Sequence, residues 1–204
     1  EMQEKTGCAD AMKFDAVRFS LARLLPYEGD TNYTRAEVDK RYDADLANDL
    51  GNALNRTLAM AHKFVGGKVP DGDVDAEAIE AIQTAKQRYA MAMDVWNVAD
   101  AADAAVNLTR FLNKYIDTCA PWALAKNNDP RLGGALRSML LILRACEGLF
   151  APIIPSASKE MGRQLNHEPI SDWSRIGAVD TLVVGTDLAQ PEPIFPRIDP
   201  KDPL

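Results

Sequence analysis

The stretch YDADLANDLGNALNRTLAMAHKF, residues 42–64, decides the fold class, because its apolar residues recur at helical steps. At roughly 100° per residue they share one arc of a helix. That arc consists of Leu46, Leu50, Leu54, Leu58 and Ala61. Upstream, Thr34 and Glu37 have the spacing of a capping box, and Gly66 and Gly67 follow as a stop signal. We therefore predict one long helix from Thr34 towards Val65.

Helical spacing continues on both sides of this stretch. The steps between Phe14, Val17, Leu21, Leu24 and Leu25 predict a first helix that Pro26 stops, with a loop over 27–33. Further helices are predicted near 75–96, 98–119, 130–150 and 156–165. We expect an all-α fold, an antiparallel bundle of about five helices with an irregular C-terminal tail.

The same pattern predicts how the chain divides. Residues 1–33 are interpreted as a linker with a connecting helix and loop, and residues 34–166 as the bundle. Residues 167–204 hold many prolines and few helical periods, so they are predicted to form an extended tail that packs on the bundle or stays disordered.

Composition limits the compartment and the partners. The 204 residues include 47% apolar side chains, enough for one sizeable core. The longest apolar run, 139–143, is far shorter than the ~20 residues of a membrane span, and we expect no signal peptide. Cys8, Cys119 and Cys146 form no C-x-x-C pair, so we expect a reducing compartment, by default the cytoplasm. The net charge of −7 predicts that nucleic acid is bound only through a local patch.

The long helix also carries a polar strip opposite its apolar arc. The strip consists of Asp45, Asn48, Asn52, Asn55 and Arg56. Asparagine is a mediocre helix former, and a solvated face built for stability would favour Glu, Lys or Gln. Amides beside a guanidinium suit the reading of base edges. A solvated face that happens to be rich in asparagine fits the same spacing.

A second feature is the tryptophan in YIDTCAPWALAKN, residues 115–127. Pro121 cannot continue the preceding helix, so the chain is predicted to turn there and to leave Trp122 at the end of the bundle. Two interpretations remain open. The indole is either a lid over the core or an exposed platform on which an unpaired base stacks, worth about 1–3 kcal/mol. Lys126 nearby suits a phosphate.

These residues resemble a known family. Residues 42–64, YIDTCAPWALAK (115–126) and FPRID (195–199) resemble the helical anticodon-binding domain of methionyl-tRNA synthetase, a class I aminoacyl-tRNA synthetase. Residues 14–34 are similar to the helix and loop that lead into that domain. The patterns A-D-L-x-N-x-x-x-N-x-x-x-R and A-P-W-x-x-A-K are specific when they occur together in this order. Sister synthetases share the bundle but generally lack the A-P-W segment.

The resemblance implies a binding site and two partners. It implies that Trp122 stacks on the anticodon of methionine tRNA and that Asn52 and Arg56 contact the bases of the CAU anticodon. Possible flanking contacts to RNA are Asn48, Asn55 and Lys126. The other partner is the catalytic domain, which uses ATP and Mg to attach methionine to tRNA. The H-I-G-H-like and K-M-S-K-S-like motifs of that domain are absent here, so no catalytic residue, metal or cofactor is expected in this chain.

Two other functions stay open. One is a helical protein-interaction scaffold that has kept the fold and lost RNA binding, which an acidic chain would tolerate. The other is the anticodon domain of a sister class I synthetase. Trp122, Asn52 and Arg56 favour the methionine reading over the scaffold, and A-P-W favours it over a sister enzyme. An excised domain, a natural remnant and a sequence joined across a gap are equally compatible origins.

Overall fold

Helices dominate the computed structural model, which describes residues 2–25, 29, 31 and 33–196, with side chains from Met12 onward. The elements are α1 (Met2–Leu24), α2 (Arg35–Arg41), a π-helix (Tyr42–Gly51), α3 (Asn52–Val65), α4 (Ala76–Asp94), α5 (Val98–Cys119), α6 (Pro121–Lys126), α7 (Leu132–Phe150) and α8 (Pro155–Leu165). The described residues form no β-strand, and the predicted all-α helix bundle is confirmed. Over the same residues, no helix combines the length and the apolar character needed to cross a bilayer.

The predicted long helix is confirmed, but its middle third is π-helical. α2, the π-helix and α3 follow one another without a break, because Arg41 and Asn52 at the junctions both have right-handed helical dihedral angles. Thr34 caps the start, where its Oγ1 accepts from the Glu37 N–H at 3.3 Å. Gly66 ends α3 in the left-handed conformation, with φ of 70°. Turns of a π-helix are wider than α-helical turns, so side-chain directions derived from the α-helical period do not hold over 42–51.

The core is built around α7, in which nearly every residue from Gly134 to Phe150 is buried. α3, α4, α5 and α8 pack against it, and α4 and α5 form an antiparallel hairpin joined by a three-residue turn. α1 lies across α5 and α8, where the Asp15 carboxylate accepts from the Ala157 N–H at 2.7 Å. The first helix is thereby fixed to the C-terminal part of the bundle.

Two helices were predicted from sets of apolar residues that only partly face the core. In α1, Met12, Ala16 and Phe19 are buried, whereas Phe14 is 72% exposed and Val17 is 47% exposed. Trp96, placed at the end of the third predicted helix, is 72% exposed because α4 already ends at Asp94. Helix period alone therefore identified these elements but not the direction of every side chain.

Two predicted helix starts are close to the observed ones. α7 begins at Leu132 rather than at Pro130, and the Asp129 carboxylate accepts from the Arg131 N–H at 3.0 Å. α8 begins at Pro155, one residue before the predicted start. Proline at a first helical position has no N–H to lose, which suits this start.

The tail packs on the bundle over residues 167–196. Val69 and Leu188 donate backbone hydrogen bonds to Thr186 and Gly67, so the tail pairs with the turn after α3. Farther on, the ring of Phe195 packs edge to face on Tyr42, with centroids 5.9 Å apart. Residues 197–199 of FPRID, Pro26 and most of the predicted loop 27–33 lie outside the described residues. The domain limits at 33 and 166 stay a prediction.

Candidate nucleic-acid interface

Trp122 stands just after a sharp turn between α5 and α6. Ala120 ends α5 with φ of 45° and ψ of 63°, a left-handed conformation that non-glycine residues seldom adopt. Its N–H donates to the Ile116 carbonyl at 3.0 Å, and its own carbonyl accepts from Ala123 at 2.7 Å. Pro121 is buried at the first position of α6. The predicted turn is confirmed, and the Trp122 residue is 48% exposed, which excludes a fully buried lid.

Arg56 reaches from α3 to the last turn of α5. Its Nη2 donates to Asp117 Oδ1 at 2.6 Å, and the side chain of Asp117 is 65% exposed. Asp117 lies five residues before Trp122, and α3 also packs against α6. The guanidinium and the half-exposed indole therefore lie at the same end of the bundle.

The remaining predicted contacts also lie on the surface. Asn52 and Asn55 are exposed on α3, Asn48 is exposed on the π-helix, and Lys126 is exposed at the end of α6. Asn52 and Arg56 are four residues apart within α3, so their side chains are neighbours on one face. The structure thus brings the predicted residues to the surface of adjoining elements, while their roles in RNA binding stay predictions.

Asp45 is the exception to the predicted strip, because its side chain is fully buried. Its carboxylate lies 2.6 Å from Arg110 Nη2, 3.6 Å from Arg23 Nε and 3.8 Å from Arg41 Nη1. Burial raises the pKa of Asp45, and the three guanidinium charges oppose that rise. The wider turns of the π-helix direct this residue towards α1 and α5 and away from the strip.

The buried Asp45 carboxylate belongs to a set of contacts that hold the π-helix against α5. Arg110 of α5 also donates to Asp49 at 2.9 Å, and Asn113 donates to the Asp49 carbonyl at 3.0 Å. These contacts tie the π-helix to α5 immediately before α3 begins, so they fix where Asn52 and Arg56 stand. Sequence reasoning missed this cluster, because the arginines come from three separate elements.

Asp117 was missed as well, although it stands in the quoted stretch YIDTCAPW. Nothing in its spacing predicts a pair with Arg56, since the two are 61 residues apart in the chain. An acidic residue shortly before an exposed aromatic residue is a weak signal by itself. No group of three His, Cys, Asp or Glu side chains in the described ranges is arranged to hold a metal ion.

Comparison with known proteins identifies the family of this chain. The family model for the anticodon binding domain of methionyl tRNA ligase matches residues 65–203, and the model for class I tRNA synthetases (M) matches residues 4–58. The methionine–tRNA ligase of Clostridium tetani is 34% identical over 191 residues, covering 91% of this chain and 30% of that protein. The enzyme of Lactiplantibacillus plantarum is 35% identical over 197 residues, covering 91% of this chain and 29% of its own length.

Solved structures give the same result. The apo crystal structure of Mycobacterium tuberculosis methionyl-tRNA synthetase superposes with a TM-score of 0.80 and 28% identity. That superposition covers 94% of this chain and 40% of the other. The chain spans about 30% of the length of the curated relatives that it matches. It belongs to the methionyl-tRNA ligase family, of which it carries the anticodon-binding domain.

Proposed function

We propose that this chain binds the anticodon loop of methionine tRNA and reads its CAU sequence. One observation carries the proposal: Arg56 is held by Asp117 at the same end of the bundle as the half-exposed Trp122. Single-stranded loops are recognised by stacking splayed bases on aromatic rings and by hydrogen bonds to their edges. An indole next to a guanidinium and an amide supplies both kinds of contact.

Each residue has a separate part in this proposal. The indole of Trp122 stacks on an anticodon base, and Arg56 and Asn52 bind base edges from one face of α3. Lys126, on the exposed end of α6, binds a phosphate. Asn48 and Asn55 flank the site on the same long helix. Arg56 exchanges its ion pair with Asp117 for the base when RNA arrives.

We further propose that the chain works with a catalytic domain that attaches methionine to the bound tRNA in an ATP-dependent reaction. The catalytic domain would hold ATP and Mg. Support comes from the relatives, which are methionine–tRNA ligases more than three times as long as the matched region. α1 supplies a surface for that domain, because Phe14, Val17 and Leu21 form an exposed apolar face. The proposed compartment is the cytoplasm, which suits the unpaired cysteines at 119 and 146.

The deciding experiment separates base reading from phosphate binding. We expect Arg56→Gln to shrink the ratio of affinities for stem-loops that carry CAU and a scrambled anticodon, since a bidentate contact to a base is worth about 1–3 kcal/mol of discrimination. Lys126→Gln is the matched control, since both residues are cations at the surface near Trp122. It should weaken both complexes alike and leave the ratio intact.

The measurement is a titration of the two fluorescently labelled stem-loops with the protein joined to its catalytic domain, at one fixed salt concentration. Binding that persists in Arg56→Gln with an unchanged ratio would contradict base reading by α3. Absence of binding by the unaltered protein would instead favour a protein-interaction scaffold.

A further inference from the structure

The hairpin of α4 and α5 has two grooves, and the described residues fill only one of them. α7 packs against both helices on the inner side. On the outer side, two adjoining cavities of about 310 and 340 Å³ share Arg88, Ala104 and Asn107, so they form one continuous groove. Every residue that lines it belongs to α4, α5 or the turn between them. In the described part of the chain, no further element covers this outer groove.

The floor of the outer groove is apolar and made mostly of small side chains. It contains Ala81, Ala85, Ala92, Ala104, Leu108 and Phe111. Alanines let another helix approach closely, because ridges of its side chains fit between those of α4 and α5. At the turn end, Met91 lines the groove and Trp96 directly follows the lining residue Val95. Met91 is 63% exposed and Trp96 is 72% exposed. Exposed apolar side chains beside an open groove are a common feature of contact sites.

Trp96 is also held in an unusual backbone conformation. Its φ is 60°, in the left-handed region that a bulky side chain rarely adopts. Its N–H donates to the Met93 carbonyl at 3.0 Å, and its own carbonyl accepts from Val98 at 3.0 Å. The turn therefore keeps the indole at the surface beside the mouth of the groove, although burial would stabilise so large an apolar side chain.

The charges on the rim of the outer groove select the occupant. Glu77 and Glu80 line one end, Asp100 and Asp103 line the other, and Arg88 is the only basic residue among the lining groups. Asp103 pairs with Arg23 of α1, which leaves three carboxylates against one guanidinium at the rim. This balance repels a phosphate backbone and attracts lysine and arginine. The groove therefore suits a basic protein segment and disfavours RNA.

Length gives the size of that segment. The lining residues of α4 run from Glu77 to the turn residue Val95, roughly 27 Å at 1.5 Å per residue. A helix of about 18 residues fits this length. We propose that the outer groove binds an amphipathic helix of a partner protein, with its apolar stripe on the alanine floor and lysines or arginines facing both acidic ends.

The probe is a synthetic 18-residue helical peptide with leucines at i, i+3, i+4 and i+7 steps and lysines at the other positions. Its partner peptide has glutamate in place of each lysine. We expect the lysine peptide to bind the 204-residue chain in isothermal titration calorimetry and to shift the backbone NMR signals of α4 and α5. We expect the glutamate peptide not to bind. Equal binding of both peptides, or shifts confined to other helices, would overturn the proposal.

Variants locate the site. Glu77→Gln/Glu80→Gln should weaken binding of the lysine peptide roughly three- to tenfold, because charges on the rim act mainly on the association rate. Glu37→Gln/Asp39→Asn on α2 is the matched control, removing two partly exposed carboxylates outside the groove, and should leave the affinity unchanged. Met91→Lys should weaken binding, because it places a charge on the apolar lining at the turn end of the groove. Since Met91 is 63% exposed, that variant is expected to fold.

Three results would overturn the proposal, because they would show either another binding site or another occupant. One is a loss of affinity in the α2 control as large as in Glu77→Gln/Glu80→Gln. Another is displacement of the peptide by an oligoribonucleotide. The third is self-association of the chain in sedimentation that Met91→Lys abolishes, which would make a second copy the occupant.

Discussion

At the scale of single residues, Trp122 depends on its neighbour Ala120, whose left-handed backbone turns the chain before Pro121. Because Trp122 is 48% exposed, Trp122→Ala should leave the melting temperature nearly unchanged, whereas a buried indole would cost about 3–5 kcal/mol. Its affinity for a CAU stem-loop should fall by about 1–3 kcal/mol, the worth of one stacked base. Thermal unfolding and stem-loop titration measure the two effects.

A second tryptophan provides the control for that experiment. Trp173 is 43% exposed, but its ring packs on Tyr89 with centroids 5.4 Å apart and lies under the Lys86 ammonium. Trp173→Ala should lower stability and leave the RNA affinity unchanged. A large loss of stability in Trp122→Ala would remove the stacking role.

Asp117 is predicted to restrain RNA binding. Its carboxylate holds Arg56 and adds a negative charge beside the proposed path of the RNA. Asp117→Asn should therefore raise the affinity for both CAU and scrambled stem-loops, while stability changes by less than about 1 kcal/mol, as for other exposed ion pairs. Asp180→Asn, which breaks an ion pair of similar exposure with Arg175, should leave RNA binding unchanged. Unchanged affinity in Asp117→Asn would show that the pair does not compete with RNA.

Local chemistry predicts the position of Trp122 better than the ion pair of Arg56 with Asp117. The turn before Trp122 could be predicted because Pro121 blocks a helix whatever surrounds it. The pair between Arg56 and Asp117 could not, because it depends on where α3 lies against α5. Single-residue properties are local, and ion pairs across elements belong to the packed fold.

At the scale of elements, the π-helix of Tyr42–Gly51 carries the charge that connects α1, α2 and α5. Asp45→Asn leaves three guanidinium groups without their central carboxylate, and we expect it to lower the free energy of unfolding by about 3–5 kcal/mol. Asp49→Asn is the control, since Asp49 is partly exposed and, among the residues that the structure describes, forms an ion pair only with Arg110. Urea denaturation of both variants should show a much smaller loss for Asp49→Asn. Equal losses would contradict a special role for the buried carboxylate.

The same segment shows what helical periodicity cannot predict. The Thr34 cap and the glycine stop defined the ends of the long helix, because both act within a few residues. The expanded turns in its middle leave no mark in the apolar spacing, since Leu46 and Leu50, which the α-helical period places on the apolar arc, are also buried in the π-helix. Asp45 was therefore assigned to the polar strip, and only the packed structure places it in the core.

At the scale of the whole molecule, the buried ion pair of Arg144 and Glu147 fixes the start of the tail to α7. Arg144 Nη1 donates to Glu147 Oε2 at 2.5 Å, and its Nη2 donates to the Glu168 carbonyl at 2.6 Å. His167 Nε2 lies 3.5 Å from the same Glu147 oxygen. Burial, and then the charge of Arg144, lower the pKa of His167 to about 4. Burial raises the pKa of Glu147 to about 7, although Arg144 opposes the rise.

These pKa shifts act on stability in opposite directions. His167 has a lower pKa in the folded chain than its ordinary 6.5, so its contribution is present above pH 6.5 and is lost as the pH falls towards about 4. Glu147 has a raised pKa, so its contribution is present below pH 4.5 and is lost as the pH rises through about 7. Between pH 4.5 and 6.5 the two partly cancel.

Removing one of these two side chains should reveal the pH dependence of stability that the other contributes. In His167→Gln, the free energy of unfolding should rise relative to the unaltered protein as the pH falls from 6.5 to 4.5, by up to about 3 kcal/mol. Glu147→Gln should show the opposite slope, whatever its overall stability. Urea denaturation at several pH values measures both slopes. Parallel profiles for all three proteins would contradict the pKa shifts.

The packing of the tail has a consequence for how the chain is made. Tyr42, on the π-helix, donates to the Pro196 carbonyl at 2.6 Å and packs against Phe195. Residues far apart in the sequence therefore pack into one contact. During synthesis the N-terminal elements leave the ribosome first. The side of the π-helix that Phe195 covers must therefore wait, uncovered, until the last part of the tail has emerged. A nascent chain halted before residue 194 would expose Tyr42, and so offer chaperones a binding surface that the finished protein lacks.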